Sequence, residues 1–183
     1  MLIVLTGPTA SGKDTIMRNL LKRFPKLQKI ITTTSRKIRS GEQNGLDYYF
    51  ISEEEFRQKI DQGEFIEHVK YGDNFYGTEK KFIDASQGKD IIWRIDPSRA
   101  GQIRELIKSR DILVIYISIS EKESRERLKQ RHLSNEEIEK RLIQDKKDWE
   151  EYKDKYDFVV ENPQGKLNET VDKILQIVEN KIK

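Results

Sequence analysis

The stretch GPTASGKDT, residues 7–15, follows directly on the apolar run LIVL at residues 2–5 and on Thr6, and it limits the fold more than any other part of the chain. A buried strand, a glycine-rich turn and then a helix is the context in which backbone N–H groups at a helix N-terminus converge on phosphate oxygens. All three parts stand here in order, with a helix expected over residues 14–23. Gly7 and Gly12 allow backbone angles and close approach that a Cβ would block. The N–H groups that follow Pro8, through Thr9, Ala10 and Ser11, can face a phosphate, while Lys13 brings a point charge to the outer phosphates. In the usual form of the loop a Ser or Thr follows the lysine, and its hydroxyl meets the magnesium ion. Asp14 holds that place here. A carboxylate is still a hard oxygen ligand for magnesium, directly or through water, and Thr15 keeps a hydroxyl for a phosphate oxygen. These residues describe an altered but working phosphate loop rather than a chance turn.

Short runs rich in Ile and Val recur along the chain, in KII, DIIWRID, ILVIYIS and YDFVV, separated by helix-length stretches. Such runs are buried parallel strands, so the class is α/β, a parallel sheet with helices on both faces. Two segments break the pattern. Residues 32–78 alternate aromatic and polar residues and form a small mixed-sheet insert, and the polar, arginine-flanked residues 131–145 form a short helical lid. The core is then residues 1–31, 79–130 and 146–183, closed by a helix from Leu167 to Ile182.

A chain of 183 residues supports one domain with such inserts. Its 35 basic and 32 acidic residues balance too closely for a nucleic-acid footprint. No apolar run approaches the roughly 20 residues of a membrane span, the first strand leaves no room for a signal peptide, and the cytoplasm is expected. Without cysteine, and with only His68 and His132, structural zinc is not expected.

Within the insert, Arg36 and Arg39 stand three apart and are followed by Tyr48 and, in NFYGT, by Tyr76. Guanidinium groups offer planar pairs of donors to phosphate oxygens, and a phenol adds one more, so this set is read as an anion site. Glu67 and Thr78 suit a different partner. A carboxylate accepts two N–H donors side by side, the face that guanine presents, and a hydroxyl beside it meets the carbonyl oxygen.

Together these residues resemble the guanylate kinases, enzymes that pass a phosphoryl group from ATP to GMP. The likeness covers nearly the whole chain, through GPTASGKDT, TTTSRKIRSGEQNGLDYYF, GEFIE, NFYGT, IIWRID and YDFVVEN. It implies that Arg36, Arg39, Tyr48 and Tyr76, with Glu42, hold the GMP phosphate, and that Thr32, Glu67, Thr78 and Asp96 read the guanine. It further implies that Arg131 and Arg141 are lid arginines over the moving phosphoryl group, that Asn162 contacts adenine, and that magnesium lies near Asp14 and Asp96. GMP or dGMP and ATP are the expected substrates, with no nucleic-acid or membrane partner. In that mechanism the GMP phosphate oxygen attacks the terminal phosphorus directly, while Lys13, the metal and the lid arginines offset charge.

The chain departs from the family pattern at Asp14, where the family has Ser; at Ile38, for a proline; at Arg94, for an acid; and at Arg131, His132 and Leu133, for Arg-Gly-Thr. Asp14 also occurs in related ribose bisphosphate kinases, leaving open a kinase on another phosphorylated substrate, against which Thr32, Glu67 and Thr78 weigh. A non-catalytic binding domain of the same fold is the other alternative, against which intact Gly7, Gly12 and Lys13 weigh.

Overall fold

A computed structural model describes residues 1–182, with Tyr71 described for its backbone alone. Two compact units result, one of residues 1–28 and 90–183 and the other of residues 29–89, wider at both ends than the insert expected at 32–78.

The larger unit is built on a five-stranded sheet in the order β2-β7-β1-β8-β9. Its strands are β1 (Leu2–Thr6), β2 (Gln28–Lys29), β7 (Ile91–Arg94), β8 (Ile112–Ser118) and β9 (Phe158–Glu161). β2 is shorter and earlier than the KII strand expected at 29–31. β1 pairs in parallel with β7 and β8, and β8 with β9. Every residue of β1 is buried, as a central parallel strand covered by helices requires. Ile3, Leu5, Ile115 and Ile117 form one core with Ile16 and Leu20 of helix α1 (Lys13–Arg23) and Ile174 and Val178 of α7 (Leu167–Ile182). Each fully buried side chain of this kind contributes about 1.5–3 kcal/mol.

Register decides where the chemistry falls. Leu5 pairs with Arg94, so the phosphate loop and the acid-bearing turn after β7 leave the sheet at one edge. Ser118 pairs with Glu161, which puts Asn162 at that edge too. Ligands of open parallel sheets bind beyond these carboxyl ends.

Helix starts follow sequence signals. Asp96 caps α4 (Pro97–Leu106), accepting the Arg99 N–H with Pro97 behind it. Ser120 caps α5 (Glu121–Gln130), and Ser134 with Glu137 forms a capping box on α6 (Asn135–Tyr152). α5 stops at Arg131 because His132 takes a left-handed φ of 60°. The polar segment read as a lid ending at residue 145 is therefore a turn and the first part of a longer helix. Nothing between Asp145 and Tyr152 breaks it, and its second half is held by Trp149 against Tyr116.

The smaller unit carries a mixed sheet in the order β4-β3-β6-β5: β3 (Thr33–Thr34), β4 (Tyr49–Phe50), β5 (Phe65–Tyr71) and β6 (Asn74–Glu79). β3 runs parallel to β4 and antiparallel to β6, and β5 is antiparallel to β6. Stacked Phe56, Phe65 and Phe75 make its small core beneath α2 (Glu53–Asp61). Short α3 (Lys80–Asp84) follows β6.

Gly101 lies inside α4, where alanine is intrinsically favoured by about 1 kcal/mol. A Cβ there would come to 2.8 Å from Tyr152 Cβ and closer still to its ring. Gly101→Ala should therefore lower stability by about 1–3 kcal/mol despite the propensity gain. Urea denaturation checks this, and a more stable variant would show that α4 and α6 are not close-packed at this point.

Candidate active site

The phosphate loop is held open by its own lysine. Lys13 opens α1, and its ammonium turns back to donate to Gly7 O at 2.6 Å, Pro8 O at 2.8 Å and Ser11 Oγ at 3.3 Å. Burial brings its pKa down to about 8, against the pull of Asp14 and Asp145, and Arg94 and Arg131 push the same way as burial. A triphosphate would reverse that shift by supplying the opposite charge. Gly12 caps α1 with a φ of 90°, and a Cβ on it would lie 2.5 Å from Asn162 Nδ2. Glycine is required there on both counts.

Groups distant in sequence support the loop from outside. Asn162 is buried, and its Nδ2 donates to Ser11 O at 2.8 Å. Arg127 Nη1 donates to Ala10 O at 3.1 Å, and Ser124 Oγ to Thr9 O at 3.0 Å. The Thr9 N–H donates to Asp145 Oδ2 at 3.0 Å. Of these four, only Asn162 is singled out by the sequence, and then for adenine; no local motif marks Ser124 or Arg127. Asp145 carries a faint signal, standing four residues after Arg141 on one helix face.

Charges of both signs gather at the loop. Asp14, in the first turn of α1, is 61% exposed and is ion-paired with Arg94, the last residue of β7, whose side chain is 17% exposed. The two departures from the family pattern are thus partners. Arg131 ends α5 close enough to influence Lys13, and Arg141 acts likewise on Asp145. Asp96 Oδ1 accepts from Ser98 Oγ and the Arg99 N–H. Among the described residues no group of three or more His, Asp or Glu side chains is arranged to hold a metal. Magnesium keeps most of its waters and takes few protein ligands when it arrives on a phosphate chain. A single exposed carboxylate beside the loop suits that mode, so Asp14 fits the ion as a partner of a nucleotide and not as part of a cage.

In the smaller unit the expected anion set comes together. Arg36 Nη2 lies 2.8 and 3.1 Å from the Glu42 oxygens, and its guanidinium stands over the Tyr48 and Phe50 rings at 5.4 and 5.6 Å. The Arg39 N–H donates to Glu42 at 2.9 Å, and Tyr48 meets Tyr76 edge-on at 6.1 Å. Burial works against the charge on Arg36, but Glu42 outweighs it and raises its pKa, while the arginines hold the Glu42 carboxyl below its ordinary value despite burial. Glu42 thus occupies the prongs that a phosphate would use.

Glu67 and Thr78 are directly opposite each other on β5 and β6, just after an irregularity between Phe65 and Glu67 that turns the strand. Both are buried, as is Thr32, whose carbonyl accepts the Tyr49 N–H. Burying a carboxylate is costly unless it has hydrogen-bond partners.

No helix among the described residues is long and apolar enough to cross a membrane. The family model for guanylate kinase matches residues 1–181. A guanylate kinase of Wolbachia sp. subsp. Brugia malayi (strain TRS) is 36% identical over 179 residues, covering 96% of this chain and 88% of that protein. One of Caldanaerobacter subterraneus subsp. tengcongensis is 36% identical over 183 residues, covering 97% and 86%. The crystal structure of guanylate kinase from Anaplasma phagocytophilum is similar with a TM-score of 0.76 and 27% identity, over 99% of this chain and 85% of that one. With a matching family model along nearly its full length, the chain belongs to the guanylate kinase family.

Proposed function

We propose that this protein transfers the terminal phosphoryl group of ATP to GMP, and to dGMP, giving ADP and the nucleoside diphosphate, in the cytoplasm. The observation that carries the choice of base is the buried Glu67 set opposite Thr78. A carboxylate there accepts the ring N–H and amino group of guanine, whereas adenine offers an acceptor at the ring position and would leave the carboxylate unsatisfied. Thr32, in the same unit, belongs to the base-reading set. The phosphate of GMP takes over from Glu42 on Arg36 and is further held by Arg39, Tyr48 and Tyr76.

One oxygen of the GMP phosphate attacks the γ-phosphorus of ATP, forming the new O–P bond as the bond to the bridging β,γ-oxygen breaks, and no residue is covalently modified. Catalysis is positioning and charge stabilisation. The Ala10 to Thr15 backbone cradles the phosphates, Lys13 leaves the Gly7 and Pro8 carbonyls for the outer phosphates, and Arg131 and Arg141 offset charge on the moving group. Asn162 supports the loop beside the adenine. Asp14, with Asp96 near it, would hold magnesium, which would supply charge stabilisation to the phosphates. A coupled assay over AMP, GMP, dGMP, UMP and ribose bisphosphate tests the assignment, with GMP and dGMP expected as the good acceptors and preference for ribose bisphosphate overturning it.

Lys13→Met keeps the stem of the side chain and removes its charge, so transfer should fall about 10²-fold or more with little change in melting temperature. Near-parent turnover would take the loop out of the mechanism. Glu67→Gln places a donor against the guanine donors and should cut kcat/KM for GMP about 10²-fold or more, with AMP gaining relative to GMP. An unaltered GMP-to-AMP ratio would put base recognition elsewhere.

The Asp14 and Arg94 ion pair sets up a double-mutant cycle on magnesium dependence. Removing one partner leaves the other's charge unbalanced beside the nucleotide, so Asp14→Ser and Arg94→Asp should each shift the magnesium requirement, and the double variant should differ from their sum by about 0.5–3 kcal/mol. Simple additivity would show that the two charges act separately.

A further inference from the structure

α6 carries a carboxylate into the mouth of the phosphate loop. The Thr9 N–H donates to Asp145 Oδ2 at 3.0 Å across 136 residues of sequence. Arg141, one turn earlier on the same helix face, and Lys13 of α1 both lie near enough to act on that carboxyl group. Asp148 of α6 and Tyr116 of β8 also interact electrostatically with it. Lys146 and Glu121 border, with Asp145, Pro8 and Trp149, a cavity of about 320 Å³.

A loop N–H donating to a carboxylate is the contact that the same loop makes to a phosphate oxygen. Asp145 thus sits as a negative group where phosphate charge arrives, and the two repel at close range. The repulsion is removed if the acid is neutral. Burial already pushes the Asp145 carboxyl up to about 6 from the ordinary 3.8, so little further charge is needed to protonate it near neutral pH.

We propose that Asp145 is a positioning residue of the nucleotide site, pinning α6 and Arg141 against the phosphate loop, and that nucleotide binding there draws a proton from solvent onto its carboxyl group. The neutral acid still accepts the Thr9 N–H through its carbonyl oxygen and has an O–H to offer a phosphate oxygen, so the pin survives while the repulsion goes. The proton returns to solvent when the nucleotide leaves. The inference rests on the larger unit being the ATP site.

The sign follows from linkage. A nucleotide that raises the pKa of a group takes up protons and binds more tightly as pH falls toward that pKa. The test is isothermal titration calorimetry of MgATP on the full chain, at about pH 6.5 and in buffers of different ionisation enthalpy, for the parent and for Asp145→Asn. The amide keeps an acceptor for Thr9 but cannot ionise, and protons released or taken up by ATP itself cancel between the two proteins. The parent should take up a measurable extra fraction of a proton, and its affinity should gain severalfold on that of Asp145→Asn as pH falls from about 7.5 to about 5.5. A purely structural role for Asp145 would move the melting temperature and leave proton uptake alike in both proteins, which would overturn the inference. Carbon-13 NMR of the parent's own carboxyl groups needs no variant: the Asp145 midpoint should rise with MgATP, and an unmoved midpoint would also overturn it. A parent that binds no MgATP would fail the kinase reading itself, an outcome distinct from ATP binding without proton uptake.

Discussion

An irregular loop that must present its N–H groups to a ligand has to satisfy its carbonyls some other way, and the larger unit is arranged around that need. Lys13 takes the Gly7 and Pro8 carbonyls from within. Ser124, Arg127 and Asn162 take those of Thr9, Ala10 and Ser11 from α5 and from the end of β9. These carbonyl acceptors are thus occupied by groups of the chain itself, while of the loop's donors the Thr9 N–H is taken by Asp145 and the Ser11 N–H by the Pro8 carbonyl. The close approach of Asn162 is possible only because Gly12 has no Cβ.

The electrostatics around this loop are those of a site prepared for a highly charged ligand. Lys13, Arg94, Arg131 and Arg141 would repel one another if left alone. Asp14 and Asp145 are interleaved with them, Asp14 through the ion pair with Arg94 and Asp145 on the loop N–H. In the smaller unit Glu42 does the same for Arg36. Each carboxylate keeps guanidinium or N–H donors ordered before substrate arrives, so less side-chain entropy is lost on binding. The departure at Asp14 is read best in this light. It adds a negative charge to the loop, and Arg94 at the end of the neighbouring strand brings the matching positive one.

The smaller unit solves a different problem, holding polar groups in a core too small to bury many. Glu79 is almost wholly buried and accepts from Thr33 Oγ1 at 2.9 Å, with Lys59 and Lys81 also on its oxygens, and these contacts hold its carboxyl below the ordinary range despite burial. It braces β3, α2 and α3 around the sheet that displays Glu67 and Thr78. Glu79 is thus saturated by groups of its own unit, and the buried Glu67 stands opposite Thr78 on the neighbouring strand.

By itself the sequence determined the α/β class and the strand–loop–helix around GPTASGKDT, because these depend on residues within a few positions of one another. It also named Arg36, Tyr48 and Tyr76, which share one small unit and meet there. It did not mark where α6 ends, since helix continuation past Asp145 depends on Trp149 packing against Tyr116 of another element. Nor did it identify Ser124, Arg127 and Asp145 as loop supports, or Asn162 as one. Those roles arise from hydrogen bonds that span more than a hundred residues, created only when parallel register brings the ends of β1, β7, β8 and β9 to one edge. The pairing of Asp14 with Arg94 was decided by tertiary structure alone, because the Leu5 to Arg94 register sets the end of β7 beside the first turn of α1.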